Sequence, residues 1–430
     1  MELKPTKTLS GFIELLPLQQ RCFDECSARM QKALNTAGFT HLDLPAIERA
    51  EVLTDKDNWD EIETQMFLFQ KGDTKMGLRY DGTVGLARYV AGNLNNLTFP
   101  FRAYQFARNY RGERPQRGRY REFYQMDLDI LGIETLSENY DAEIVATLTD
   151  VYKSVEDFVG PVSVRIGNRR FWNAMFAYLN LTDTQQRNAF VLIDKKDKIK
   201  DFYDGLVQEV GEKAAVEINK VFSNGYESFR GVDGALDSAI EELNNFMMLL
   251  TSMGVKNAKI DLAIMRGHSY YTGIVFEFFL DNFPELSAVG GGGRYENLTS
   301  KFSKTKIIGV GAAIGFSRMM VALLEENKID LSKFERPIRA AVLVMGQEQV
   351  PFAMSVLADL RNAEISAVPY LDVDRKFKNQ VEFADKINAD FSVIIGENER
   401  NTKILTVKNM QTGQQQNINL SETIKLLKTV

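Results

Sequence analysis

The sequence predicts an α+β chain. A first domain is built on an antiparallel sheet, a helical stretch interrupts it, and a smaller α/β domain follows. Three observations carry this reading. "FPFRAYQFARNYR" and "REFYQMDLDILG" are strand-like and flank an arginine-rich loop, so they form an antiparallel pair with a long connection. Between residues 173 and 257 the texture turns helical and rich in Lys, Asp, Glu and Asn. After Pro337 strands alternate with helices, which indicates a mainly parallel sheet.

The elements follow in order. Residues 17–34 read as a helix, with Pro17 in its first turn and Gly38 as its stop. "FTHLDLPAIERAEVL" alternates into an extended segment, and Pro45 favours an edge or an end. "MGLRYDGTVGLARYVAGNL" reads as a strand, a turn at Gly82 and Thr83, and a short helix. "NYDAEIVATLTDVYKSVEDF" has the apolar spacing of an amphipathic helix. Strand signals return in "AKIDLAIMRGHSYYTGIVFEFFL", followed by "VGGGGRYENL" and by "IIGVGAAIGFSRMMVALLEE", a strand running into a helix. The predicted boundaries are 1–172 and 258–328 for the two parts of the first domain, 173–257 for the helical insertion, and 337–430 for the last domain.

A chain of 430 residues is too long for one ordinary core. Hydrophobic content of 44% and charged content of 26% belong to a soluble globular protein, and no apolar run reaches the length of a membrane span. With no signal-peptide core, the default location is cytoplasmic. The only cysteines, Cys22 and Cys26, lie one helical turn apart. With only His41 and His268 besides, a four-ligand zinc site would need carboxylates, so no metal site is predicted. A net charge of −6 argues against general nucleic-acid coating, but six arginines fall between Arg108 and Arg121, a local basic surface.

Strand side chains alternate between faces. Tyr124, Met126, Leu128 and Ile130 share a core face, and Phe123, Gln125, Asp127 and Asp129 share the other. On the partner strand Ala103, Gln105, Ala107, Asn109 and Arg111 form a small, polar row. A floor of small residues rimmed by arginine leaves room for a ligand, whereas an ordinary antiparallel sheet would simply be solvated there. Asp81 beside a Gly-Thr turn, Arg266 inside an apolar strand region, and Gly309, Gly311 and Ala313 on one strand face ahead of Arg318 strengthen the ligand reading.

These residues resemble a known family. "YRGERPQRGRYREFYQMDLDILG" looks like motif 2 of class II aminoacyl-tRNA synthetases, "GVGAAIGFSRMM" like motif 3, and "GFTHLDLPAIE" like motif 1, the dimer-forming element. "LRYDGTVGLARY" and "RGHSYYTGIVFE" resemble the signatures of the histidyl-tRNA synthetase family. "DRKFKNQVEFADKINADFSVIIGENE" and "VKNMQTGQQ" resemble its anticodon-binding domain. The resemblance covers nearly the whole chain. One departure is "RGHSYY", where His268 and Ser269 stand in place of the family's usual Leu and Asp.

The resemblance implies a class II synthetase fold and a two-step reaction. The histidine carboxylate attacks the α-phosphorus of ATP, and the adenylate then passes its aminoacyl group to the end of tRNA(His). Catalysis of this kind is positioning plus neutralisation of charge on phosphorus. By resemblance Arg111 contacts the α-phosphate and the carboxylate, Arg119 and Arg318 hold the outer phosphates, Phe123 stacks on adenine, and Glu113 fixes its amino edge. Arg266 lies near the α-phosphate, Arg111 and Arg266 are the catalytic pair, and Mg²⁺ travels with ATP. Asp81, Thr83 and Gln125 receive the α-ammonium, and Asp129 and Tyr271 bracket the imidazole, with Tyr270 and Arg266 completing the histidine site. Arg114 and Gln116 meet the acceptor end of tRNA, and Lys376, Lys378 and Gln380 are implied for the anticodon. A homodimer is implied too.

The main rival is the synthetase-like regulatory subunit of ATP phosphoribosyltransferase, which binds histidine as a signal. "RGHSYY" leans that way. The retained Arg111 and Arg318 and the last domain lean against it. A binding-only RNA module leaves the arginine set unexplained.

Overall fold

The computed structural model describes residues 4, 6–54, 64–265, 271–296, 301–335 and 338–429. The chain forms two compact units, Met1–Leu331 and Ser332–Val430.

In the first unit the opening helix, Pro17–Thr36, has proline in its first turn, and the Gln19 side chain caps Leu16 N at 2.9 Å. It ends before Gly38, whose φ of +81° suits glycine. The strands are Thr40–His41 (β1), Ile47–Arg49 (β2), Leu68–Lys71 (β3), Thr74–Leu78 (β4), Phe101–Tyr110 (β5), Glu122–Ile133 (β6), Val162–Asn168 (β7), Ala258–Ile260 (β8), Tyr271–Leu280 (β9), Gly290–Tyr295 (β10) and Ile307–Ile314 (β11). Eight of them form one sheet in the order β1-β5-β6-β11-β10-β9-β7-β8, while β2-β4-β3 form a small separate sheet. The edge pairs β1–β5 and β7–β8 are parallel, and all pairs between β5 and β7 are antiparallel.

The two faces of β6 separate as the alternation predicts. Met126, Leu128 and Ile130 are fully buried on the core face. There Phe106 stacks on Tyr124 with centroids 5.1 Å apart, while Phe316 meets Phe106 edge-on and Phe23 of the opening helix meets Phe316 edge-on at 4.6 Å. Burying such side chains stabilises by about 1.5–3 kcal/mol each. This cluster clamps the opening helix and the helix Phe316–Glu325 to the sheet. Ser317 Oγ adds a cap on that contact by accepting from Tyr124 N at 2.8 Å. Arg294 on β10 is buried against Asp141 at 2.7 Å and also donates to Leu136 O and Ser137 O. This ties the sheet to the helix Asn139–Lys153.

Between β7 and β8 the chain runs through helices Arg169–Tyr178, Asp183–Asp194, Phe202–Val210, Glu212–Ser223 and Gly234–Ser252. Asp233 caps the last by accepting from Ala235 N and Leu236 N, and Thr182 caps the helix Asp183–Asp194. Cys22 and Cys26 are both buried free thiols. Desolvation pushes Cys22 up to about 11 and Cys26 higher still, so both stay protonated and inert.

The second unit carries Ala340–Val344 (β12), Ala367–Tyr370 (β13), Phe391–Ile395 (β14), Ile404–Asn409 (β15) and Gln415–Asn419 (β16), in the order β13-β12-β14-β15-β16. The expectation of a mainly parallel sheet needs correction. β13-β12-β14 is parallel, but β15 and β16 join antiparallel. The loop between β15 and β16 is only Met410–Gln414, too short for the crossover a parallel pair requires. Helices Val350–Asn362 and Leu420–Thr429 cover one face of this sheet, and Phe377–Lys386 packs on the other.

The anticodon set also needs revision at Gln380. Its side chain is buried, with Oε1 accepting from Val344 N at 2.9 Å and Nε2 donating to Val344 O at 2.8 Å. An amide with both ends committed to the backbone is a structural tie, not a reader of bases. Lys376 and Lys378 are exposed, and Lys378 lies 3.6 Å from Glu382.

Candidate active site

On the polar face of β6, Gln125, Asp127 and Asp129 are buried and Phe123 is half-buried. This face forms the floor of a cavity of about 530 Å³. Asp129 faces Ala103 on β5 and Gly311 on β11, and Asp127 faces Gln105 and Ala313. The floor is bare for steric reasons. A Cβ on Gly311 would lie 1.9 Å from Asp129 Oδ1, and one on Gly309 would lie 2.4 Å from the Tyr295 ring. The glycines of β10 and β11 therefore make room for side chains arriving from neighbouring strands.

Twelve of the residues singled out from sequence line this one cavity: Asp81, Thr83, Arg111, Glu113, Arg114, Gln116, Arg119, Phe123, Gln125, Asp129, Tyr271 and Arg318. Arg266, Tyr270, His268 and Ser269 lie outside the described residues.

One end of the cavity is cationic. Arg111 sits with its guanidinium 4.3 Å from the Tyr80 ring centroid and 5.2 Å from that of Phe123, and Nε donates to Tyr80 O at 3.3 Å. Two aromatic faces thus fix the plane of the fork. Arg318 donates from Nε to Gly118 O at 2.8 Å and from Nη1 to Ala288 O at 3.1 Å. Gly118, at φ +72°, closes a tight turn in which Gln116 and Arg119 pair across the loop tip. Arg318 therefore orders the arginine loop as well as charging it. Arg119 is more exposed and lies 3.6 Å from Glu113. Backbone carbonyls orient Arg111 and Arg318, while Arg119 lies beside the Glu113 carboxylate.

The other end is lined by buried carboxyls. Asp81 is buried and accepts from Val84 N at 3.0 Å, capping the helix Thr83–Gly92. Gln125 Nε2 donates to Asp127 Oδ1 at 2.5 Å. Tyr295 O–H donates to Asp129 Oδ1 at 2.8 Å. Desolvation pushes Asp129 up to about 8, opposed by the Tyr295 hydrogen bond and reinforced by Asp127 and Asp81. Asp127 is pushed up to about 7, again by desolvation first, with Gln125, Arg79 and Arg111 pulling it down and Asp81 pushing it up. Burial also drives the Tyr295 hydroxyl well above its usual range, so it remains a donor. Two neighbouring buried carboxyls that resist ionisation are poised to receive a cationic or N–H-bearing ligand, which would stabilise their charged forms.

Sequence reasoning passed over Tyr295, Tyr80, Gln65 and the role of Asp127, all of which build this site. Tyr295 had a signal: it is the large residue closing a glycine run, and in register it faces Gly309. Gln65 had none. It receives Tyr80 O–H on Oε1 at 3.2 Å from a loop with no motif. Among the described residues no group of three His, Cys, Asp or Glu is placed to hold a metal ion, and no helix is long and apolar enough to cross a membrane.

An antiparallel sheet flanked by helices, with motif 2 and motif 3 arginines over its polar face and a separate anticodon-type unit, is the architecture of a class II aminoacyl-tRNA synthetase. The family model described as "Histidyl-tRNA synthetase" matches residues 11–323, and one described as "Anticodon binding domain" matches residues 339–430. A histidine–tRNA ligase of Clostridium tetani is 36% identical, covering 99% of this chain and 98% of that protein. The crystal structure of histidyl-tRNA synthetase from Nostoc sp. PCC 7120 superposes with a TM-score of 0.82 at 30% identity, covering 99% of each chain. A structure titled as an ATP phosphoribosyltransferase regulatory subunit/histidyl-tRNA synthetase from Bacillus halodurans C shares the fold at a TM-score of 0.70 and 21% identity, covering 87% of this chain and 96% of that one. The chain belongs to the histidyl-tRNA synthetase family.

Proposed function

We propose that the chain ligates histidine to the 3′ end of tRNA(His) in two ATP-dependent steps. Histidine and ATP give histidyl-adenylate and pyrophosphate. A terminal ribose hydroxyl of tRNA then displaces AMP, losing its proton as the ester forms. The observation that supports this best is the polarity of the single cavity, cationic at one end and anionic at the other. A triphosphate fits the first end and an ammonium- and imidazole-bearing amino acid the second.

In this reading Arg111 neutralises the α-phosphate, where charge develops during attack, and Arg119 and Arg318 hold the β- and γ-phosphates. Phe123 stacks on adenine beside Glu113. Mg²⁺ enters as part of the ATP substrate. Asp81, Thr83 and Gln125 accept from the α-ammonium. Asp129, oriented by Tyr295, accepts from one imidazole nitrogen and Tyr271 bonds the other. An apolar analogue would leave both unpaired in a dry site, which gives strong rejection. Arg266 is assigned to the α-phosphate, as a catalytic partner of Arg111, and with Tyr270 to the histidine site. Arg114 and Gln116 are assigned to the tRNA acceptor end.

The same reading takes residues 1–172 and 258–328 as the catalytic domain, 173–257 as a helical insertion and 337–430 as the anticodon-binding domain. It takes the working form as a cytoplasmic homodimer. Purified chain should catalyse histidine-dependent exchange of pyrophosphate into ATP and should charge tRNA(His). Histidine binding without exchange would instead favour the regulatory-subunit reading. Arg266→Ala should cut exchange far more than histidine binding, and equal loss of both would overturn its assignment.

A further inference from the structure

Asp127 has no place in the roles above, yet it is among the most enclosed charges of the site. It lies centrally on β6, with Gln105 across from it on β5 and Ala313 on β11. Its Oδ1 takes the Gln125 amide N–H at 2.5 Å. Its Oδ2 presses against the Asp81–Thr83 turn so closely that a Cβ on Gly82 would sit 2.5 Å away. Gln105, its cross-strand neighbour, donates Nε2 to Gly82 O at 2.9 Å, and Gln105 Oε1 is buried with no partner among the described residues. The charged groups that act on it are Asp81 on the turn, Arg79 and Arg111. Asp129, two residues along the same face, feels its charge in turn.

This arrangement has a chemical consequence. Because Gln125 Nε2 donates to Asp127 Oδ1, Asp127 holds the Gln125 amide with its NH₂ inward. What Gln125 then offers the cavity is its carbonyl oxygen, an acceptor. Asp127 therefore decides the polarity of Gln125 and adds negative charge next to Asp81. Both properties favour a substrate ammonium and disfavour a group lacking one.

We propose that Asp127 is a further specificity-determining residue, which sets the orientation of Gln125 and supplies charge that selects the α-ammonium of the amino acid. The inference rests on the proposed reading that this end of the cavity holds histidine. The competing role is purely structural, as a brace for the Gly82 turn.

The test compares three ligands in wild-type full-length protein and in Asp127→Asn. Histidine carries ammonium and carboxylate, histidinol keeps the ammonium, and imidazolepropionate keeps only the carboxylate. Asparagine matches aspartate in size and removes a costly buried charge, so the variant should fold with an unchanged or higher Tm. Its binding of histidine and of histidinol should weaken about tenfold or more, while imidazolepropionate changes by less than about twofold. Equal weakening of all three, or none, overturns the proposal and leaves Asp127 as a brace. A second readout needs no variant. Histidinol binding to wild type, followed by calorimetry in two buffers of different ionisation enthalpy, should release more protons than imidazolepropionate binding at neutral pH. Equal release contradicts the proposal. Wild-type protein that binds no histidine would remove the functional reading itself, and this inference with it.

Discussion

The two ends of the cavity are built by opposite means. At the cationic end, guanidiniums are held by backbone carbonyls and aromatic faces: Arg318 by Gly118 O and Ala288 O, Arg111 by Tyr80 O and the rings of Tyr80 and Phe123. Their charge is permanent and partly solvated. At the anionic end, carboxyls are held by other side chains, Asp129 by Tyr295 and Asp127 by Gln125, and both are nearly excluded from solvent. Their charge is conditional on what occupies the cavity. The first end suits a ligand that always carries several negative charges. The second suits one whose donors must be read individually, because a mismatched group there leaves a buried acceptor unpaired.

Substitutions at the two ends should therefore fail differently. The largest effect belongs to the dry end. Asp129→Ala should lower kcat/KM for histidine by about 10³-fold, through loss of the imidazole acceptor, with ATP binding largely intact. Next comes Arg111→Ala, which should lower the rate of adenylate formation by about 10²-fold while histidine binding is nearly preserved. Arg318→Ala should raise KM for ATP by about tenfold and also loosen the loop tip, seen as faster amide exchange at Gln116 and Arg119, which bond each other across it. Arg119→Ala, at a more exposed position, should change KM for ATP by only about two- to threefold, and this effect should fade with added salt. Steady-state kinetics for both substrates would show whether the ends separate in this way. If Asp129→Ala and Arg111→Ala impair both substrates alike, the two-ended description is wrong.

Stability rather than kinetics sharpens the contrast through pH. Desolvation pushes Asp129 up to about 8, far above an unfolded aspartate at about 4. A raised folded value means its contribution to stability is fully present below about pH 4 and is lost as pH rises through about 8. Asp129→Asn should therefore raise Tm relative to wild type at pH 9 and change it little at pH 4.

Much of this was legible in the sequence for a physical reason. Strand alternation assigns faces, so the row Phe123, Gln125, Asp127 and Asp129 was visible once β6 was recognised, and the apolar row behind it followed. The loop arginines were visible as a charge cluster in an acidic chain. What escaped depends on contacts between distant segments. Tyr295 reaches Asp129 across 166 positions, and Gln65 reaches Tyr80 from a loop without pattern. Gln380 was misread because an amide beside lysines on a helix looks like a surface group, and only packing shows both its ends tied to Val344. The antiparallel half of the second sheet was missed because alternating strand and helix signals do not reveal the direction in which a strand returns.

The central claim is that one cavity holds two substrates by chemically separable ends. Calorimetric titration of Asp129→Asn with ATP and then with histidine tests it most directly. The account predicts wild-type affinity for ATP and at least about 10²-fold weaker histidine binding. Undiminished histidine binding, or ATP binding lost in step with it, would contradict the account.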